Sequence, residues 1–147
     1  MALDYGRRRI GVAVSDPTRT IATPRGAIER LAGRGPDDAT RPPDALVALV
    51  RELRPSVVVV GIPLSMDGTA GEMAREARAF AARLEEATGI PTAEWDERLT
   101  TARAEREIRA LGLRRSRREE KGRSDEMAAT LMLTEYLRSV TRGDERA

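Results

Sequence analysis

The chain of 147 residues contains no cysteine and no histidine. Without cysteine it can form no disulfide, no thiolate metal site and no cysteine nucleophile. Without histidine it lacks the side chain that most often acts as a general base near neutral pH and as a nitrogen ligand for metals. Any catalysis must therefore use carboxylates, hydroxyls, Lys121, arginines or a bound metal ion.

Aromatic residues are also scarce, at 3% of the chain, so aliphatic residues must build the core. No apolar run is long enough to span a membrane and there is no secretory leader, so we expect a cytoplasmic protein without a membrane contact. The length fits a single domain, which we place at residues 1–140, with a frayed tail at 141–147. The formal net charge is only +2, and Lys121 is the only lysine among 26 basic residues. This arginine bias can reflect a GC-rich genome as easily as phosphate binding.

The order of apolar and polar residues predicts an α/β fold. The predicted elements are strands at 1–4, 9–16 and 23–30, a helix at 44–53, a strand at 57–60, a helix after a capping box at 69–72, a strand at 91–98, a helix near 100–111 and a helix from about 124 to 140. The first three strands have short connections and should pair antiparallel, whereas the later strands follow helices and should join in parallel. The sequence therefore predicts a mixed five-stranded sheet flanked by helices, with a surface loop at 33–43.

Acidic residues lie where several of these elements begin or end. Asp4 ends the first strand, and Gly6 should give the turn after it a positive φ. Asp96 and Glu97 lie near the end of the last strand, where adjacent residues point to opposite faces. Only one of them should therefore face Asp4, while the other has a structural role, paired with Arg98 or with a helix end.

Asp125 extends the apolar stripe of the last helix, so a helix packed through that stripe would direct Asp125 towards the sheet. A simpler interpretation is that Ser124 or Asp125 only caps this helix. If the acids do meet, their oxygens suit Mg²⁺ or Mn²⁺. Two such ions about 3.5–4 Å apart would support phosphodiester cleavage, a reaction that needs neither histidine nor cysteine.

Residues 114–123 form a basic segment in which six basic side chains outnumber two acidic ones. Such a segment is usually a solvated loop, but here it can also contact nucleic acid. The candidate contacts are Arg114, Arg115, Arg117, Arg118, Lys121 and Arg123.

Four motifs in chain order resemble the YqgF (RuvX) family. They are LDYG at 3–6 with RIGVAVSD at 9–16, VGIPLSMDGT at 60–69, DERLTT at 96–101, and Lys121 with Asp125. Together they span nearly the whole chain. The resemblance departs from the family pattern in a short first strand, which leaves a longer native start open, and in Ser124, where an apolar residue is common.

The resemblance implies an RNase H-like fold and a nuclease linked to maturation of the 5′ end of 16S ribosomal RNA or to Holliday-junction resolution. By the same resemblance, the catalytic acids are Asp4, the Asp96–Glu97 pair and Asp125, and we favour Glu97 over Asp96 as the metal ligand. Arg8 and Lys121 fall at positions that are basic in similar proteins, so we expect them, with Arg98, to contact phosphate. The loop 61–68 should line the cleft.

The resulting hypothesis is a metal-dependent endonuclease, either a monomer or a homodimer, that acts on precursor ribosomal RNA. The low aromatic content disfavours base stacking and favours recognition of the backbone and shape. Three alternatives are a resolvase that cuts branched DNA, a nucleotide-binding ATPase module, and a non-catalytic RNA-binding assembly factor. The ATPase module would need a second phosphate hairpin and a second domain, for which the chain has no room.

Overall fold

A mixed five-stranded sheet forms the centre of the molecule, with strands in the order β3-β2-β1-β4-β5. The computed structural model of the chain describes residues 1–30, 36–65, 67–100 and 120–144. Its elements are β1 (Ala2–Asp4), β2 (Arg9–Ser15), β3 (Ala22–Glu29), α1 (Pro36–Thr40), α2 (Asp44–Leu53), β4 (Val58–Ile62), α3 (Glu72–Thr88), β5 (Thr92–Asp96) and α4 (Glu120–Asp144).

The strand directions are those that the sequence predicts. β1 pairs antiparallel with β2, and β2 with β3. β4 lies parallel to β1 on its other side, and β5 lies parallel to β4. Pro24 is in β3, which is an edge strand, where its missing N–H breaks no central ladder.

The two faces of the sheet are built differently. One face carries the larger core, in which Leu3, Ile10 and Val60 of the sheet contact side chains of α2 and α3 such as Leu46 and Phe80. All five residues of β4 are buried, as expected for a strand covered on both sides.

The opposite face of the sheet carries α4. The sheet residues on this face are small. They are Ala2, Ala13 and Val59, and they pack against Ala129, Met132 and Leu133 of the helix. Because side chains alternate along a strand, this face also receives Asp4 of β1, Arg9 and Gly11 of β2, and Gly61 of β4. The helix can therefore approach the sheet closely where these residues lie.

Several local predictions are wrong. Gly6 does not have a positive φ; a Cβ there would lie 2.5 Å from the Arg9 carbonyl oxygen, so glycine is needed for close approach instead. Residues 36–40 are helical rather than loop. The expected capping box is absent, since α3 begins after Gly71 and the Thr69 hydroxyl bonds to Asp67.

The last helix is longer than expected at both ends. It begins at Glu120, so neither Ser124 nor Asp125 is its cap, and it continues to Asp144 instead of ending near Val140. The predicted helix near 100–111 falls on 101–119, outside the described residues, although residues 97–100 are already helical. None of the helices in the described ranges combines the length and the apolar composition that crossing a membrane requires.

Candidate active site

Asp4 lies at the C-terminal end of β1, on the face covered by α4. It pairs with Gly11 of β2 in the antiparallel ladder. On the other side of β1, Leu3 pairs with Val60, so the next residue of β4, Gly61, lies beside Asp4. The carboxyl ends of β1 and β4 therefore form the floor of the site.

The turn after β1 is held by Arg30. Its guanidinium donates to the Gly6 carbonyl at 2.9 Å, to carbonyls of α1 and to the Arg41 carbonyl after that helix. It also lies over the rings of Tyr5, at 5.1 Å, and Phe80, at 5.6 Å. These contacts tie the residues that follow Asp4 to the larger core.

Glu97 follows β5 directly and reaches Asp4. The two side chains are hydrogen-bonded to each other. Burial, the neighbouring Glu97 charge and this hydrogen bond, with a smaller contribution from Asp125, raise the pKa of Asp4 from 3.8 to about 8. Burial and the Asp96 charge also raise the pKa of Glu97, whereas the hydrogen bond from Asp4 lowers it. The raised pKa values therefore favour a state in which the two carboxyls share one proton.

Gly61 makes room for Glu97. A Cβ at this position would lie 2.6 Å from Glu97 Oε1 and 2.6 Å from Met132 Cε. Any larger residue in β4 would have to displace one of these two side chains. The glycine of the VGIP motif thus allows the Glu97 carboxyl to lie over the sheet.

Asp125 enters the site from α4. The helix backbone lies directly on β2, because a Cβ at Gly11 would lie only 2.1 Å from the Asp125 carbonyl oxygen. Glu126 anchors the same turn by accepting a hydrogen bond from the Gly26 N–H of β3 at 2.8 Å. The Asp125 carboxylate forms an ion pair with Arg9, with 3.6 Å between Oδ2 and Nε.

Asp96 faces a different partner from Glu97. Its carboxylate accepts from the backbone N–H and the guanidinium of Arg98, with a shortest distance of 2.6 Å. The Arg98 hydrogen bonds hold the pKa of Asp96 below its usual range. The Arg98 guanidinium also lies near Gly68, beyond the end of β4, since a Cβ on Gly68 would lie 3.4 Å from Nη1. Asp96 thus orients Arg98 while Glu97 meets Asp4.

The acids suit a hard divalent cation in their chemistry, since all donors are oxygens. Within the described ranges, however, no three acidic side chains are close enough together to form a ready-made metal site. Asp4 and Glu97 share a proton, and Asp125 is turned to Arg9. Mutual repulsion of like charges favours this arrangement, and a divalent cation would remove that repulsion by replacing the proton.

The predicted basic contacts are only partly located. Arg8 is exposed on the turn before β2, and Lys121 and Arg123 lie in the first turns of α4. Arg98 is held by Asp96. The remaining four, Arg114, Arg115, Arg117 and Arg118, lie outside the described residues.

Sequence reasoning missed the roles of Arg9, Glu126, Gly11 and Gly61. The two glycines did stand inside the quoted motifs. A glycine within a strand signals a close approach, which could have identified both.

Comparison with known proteins identifies relatives along nearly the whole chain. The model of the family described as "RuvX: Holliday junction resolvase" matches residues 1–139. A protein of Anaeromyxobacter sp. (strain Fw109-5) is 42% identical over 137 residues, covering 93% of this chain and 94% of the relative, and carries the name "Putative pre-16S rRNA nuclease". A protein of the same name from Bradyrhizobium sp. (strain BTAi1 / ATCC BAA-1182) is 43% identical over 120 residues, covering 82% of this chain and 71% of its own length.

A solved structure supports the fold. Thermus thermophilus RuvC, in a complex with a Holliday junction substrate, superposes with a TM-score of 0.57 at 17% sequence identity. The match covers 95% of this chain and 92% of the other. The mixed sheet with its flanking helices is thus of the RNase H-like type predicted from the sequence.

Proposed function

Because this chain belongs to the RuvX family, we propose that it is a metal-dependent endonuclease whose ions are held by Asp4, Glu97 and Asp125. The observation that carries the proposal is the hydrogen-bonded Asp4–Glu97 pair beside the end of β4. A buried pair of carboxyls costs folding energy in the absence of a cation, and such pairs mark functional sites.

Each residue of the site has a distinct task. Asp4 supplies carboxylate oxygens from the end of β1, Glu97 from the residue after β5, and Asp125 from α4. Bound Mg²⁺ or Mn²⁺ would supply the activated water and stabilise the leaving oxygen. Gly61 and Gly11 keep the carboxylates and the helix close to the sheet. Asp96 is a positioning residue that orients Arg98 towards Gly68.

Paired carboxamide variants test these roles. Asp4→Asn and Glu97→Gln should each abolish cleavage in Mg²⁺ while the circular-dichroism spectrum stays that of the wild type. Asp96→Asn should reduce activity less, since that carboxylate contacts Arg98 rather than Asp4. Full cleavage in excess EDTA would contradict the metal mechanism. An inactive Asp96→Asn together with an active Glu97→Gln would mean that Asp96, rather than Glu97, is the metal ligand.

The substrate class we propose is the precursor of 16S ribosomal RNA, and the proposal includes a cytoplasmic location. The support is that relatives about 40% identical over most of the chain carry that name. Mapping ribosomal RNA 5′ ends in cells depleted of the protein should show accumulation of the uncut precursor. Unchanged 5′ ends would contradict this substrate.

A second candidate function is the resolution of four-way DNA junctions. It is favoured by the description of the family and by the fold shared with a RuvC bound to a junction. Symmetric cuts need two active sites and therefore a homodimer. Sedimentation of the protein with a synthetic junction, followed by mapping of both nicks, separates this function from single-site cleavage of RNA. Metal-independent binding without any cut would instead indicate an RNA-binding assembly factor.

A further inference from the structure

Three consecutive arginines follow the first strand, and each of them has different surroundings in the fold. Arg7 is bound to α3, through two hydrogen bonds to Glu76 at 2.6 and 3.1 Å. Arg8 is exposed on the turn. Arg9 begins β2 on the face that carries α4, two residues before Gly11, and so lies beside the candidate active site.

The contact between Arg9 and Asp125 has the properties of an exchangeable one. The distance from Nε to Oδ2 is 3.6 Å, which is an ion pair but too long for a hydrogen bond. The side chains are 32% and 29% exposed, so water screens the attraction. Ion pairs that are this accessible contribute little to stability. A divalent cation that draws Asp125 towards Asp4 and Glu97 would therefore break the pair at small cost.

The guanidinium, once released from Asp125, could bind a phosphate group of the nucleic acid. Arginine presents parallel N–H donors that match two phosphate oxygens, and its charge does not depend on pH in the neutral range. Its backbone is fixed in the sheet, so only the side chain has to move.

We propose that Arg9 is a substrate-binding residue that pairs with Asp125 in the metal-free protein and exchanges it for a phosphate group of the nucleic acid when metal binds. This inference rests on the proposed nuclease function. It assigns Arg9 two effects of opposite sign: it competes with the metal ion for Asp125, and it strengthens nucleic-acid binding once the metal is present.

The test uses Arg9→Gln, with Arg138→Gln as a matched control. Arg138 also pairs with an acid on α4, Glu135 at 2.9 Å, but lies more than three helical turns beyond Asp125. Thermal melts with increasing Mg²⁺, without nucleic acid, report metal binding. Binding of a labelled RNA hairpin with a single-stranded 5′ tail, measured in Ca²⁺ and in EDTA at several salt concentrations, reports the phosphate contact.

Arg9→Gln should bind Mg²⁺ about two- to fivefold more tightly, because the competing cation is removed. In Ca²⁺, its salt slope for the hairpin should be smaller than that of the wild type by about 0.7 to 0.9, the amount that one phosphate contact contributes. In EDTA the two slopes should agree, and Arg138→Gln should match the wild type throughout. Arg9→Lys should restore the slope but only part of the affinity, since lysine binds as a point charge.

The outcomes separate the inference from the function on which it rests. If the wild type melts at the same temperature with and without Mg²⁺, the metal mechanism itself fails. If the wild type responds to Mg²⁺ but Arg9→Gln binds the ion more weakly, or keeps the wild-type slope in Ca²⁺, the exchange proposed for Arg9 is overturned.

Discussion

Asp4 shows at the scale of one residue how a candidate site opposes stability. Its pKa is raised to about 8 in the folded protein, whereas an unfolded chain would release the proton near 3.8. Protonation of Asp4 therefore favours folding below its unfolded pKa, and this contribution is lost as the pH rises towards 8. The metal-free protein should become less stable across that window.

Asp4→Asn should remove this pH dependence. In EDTA, the stability of the wild type should fall relative to the mutant by up to about 1.4 kcal/mol per pH unit between about pH 4 and pH 8. Urea unfolding at several pH values in that window measures it. Asp96→Asn is a control for which the expected change in stability has the opposite sign. Arg98 stabilises the charged form of Asp96, so loss of that carboxylate should destabilise the protein. Parallel profiles for wild type and Asp4→Asn would contradict a shared proton in the site.

Gly61 allows a test of the geometry without removing any acid. Gly61→Ala places a Cβ within 2.6 Å of Glu97 Oε1 and Met132 Cε, both ends of flexible side chains. The fold should adapt, but Glu97 should shift, and a misplacement of about 1 Å can cost roughly 100-fold in rate. We expect cleavage to fall by that order with the fold retained. At Gly71, an added Cβ would meet no atom of the described residues within 4 Å apart from its chain neighbours, so Gly71→Ala should cleave as the wild type does.

At the scale of elements, sequence patterns located the strands but not the boundaries that shape the site. β2, β4 and α2 were recognisable because their apolar residues follow the periods of strand and helix. The start of α4 was not, because the charged residues before Asp125 are typical of a loop, and the packing of the helix on Gly11 depends on contacts distant in sequence. Alternation could not choose between Asp96 and Glu97, since β5 ends between them.

The contact between β2 and α4 should be intolerant of any side chain at Gly11. In Gly11→Ala the added Cβ would lie 2.1 Å from the Asp125 carbonyl oxygen. The three nearest atoms that it would meet all belong to the backbone of α4, which cannot move aside as a flexible side chain can. We expect folding stability to fall by about 3 kcal/mol or more, measured by urea unfolding. Gly143 lies near the other end of α4, where an added Cβ would meet no other part of the described chain within 4 Å, so Gly143→Ala should be neutral or slightly stabilising. Equal stabilities would contradict this close packing.

At the scale of the whole molecule, the sheet separates stability from chemistry. The face towards α2 and α3 holds the large apolar residues, including Phe80 and Leu46. The face towards α4 has small residues and carries Asp4, Arg9 and Gly61. Sequence alone predicted the sheet and the candidate acids, because both follow from local patterns. It did not predict which face would carry which task, because that depends on how the helices pack.

The basic segment gives the last prediction, which concerns how the molecule as a whole holds nucleic acid. Replacing Arg114, Arg115, Arg117 and Arg118 by alanine should weaken binding of an RNA hairpin and reduce the salt slope by about 0.7 to 0.9 for each phosphate that the variant no longer binds. A matched variant replaces four arginines on the helix surfaces by alanine and changes the net charge equally: Arg51, Arg78, Arg83 and Arg138. It should change the salt slope far less. Equal slopes for the two variants would mean that total charge, rather than the segment, determines binding, and an unchanged slope would mean that the segment is only solvated.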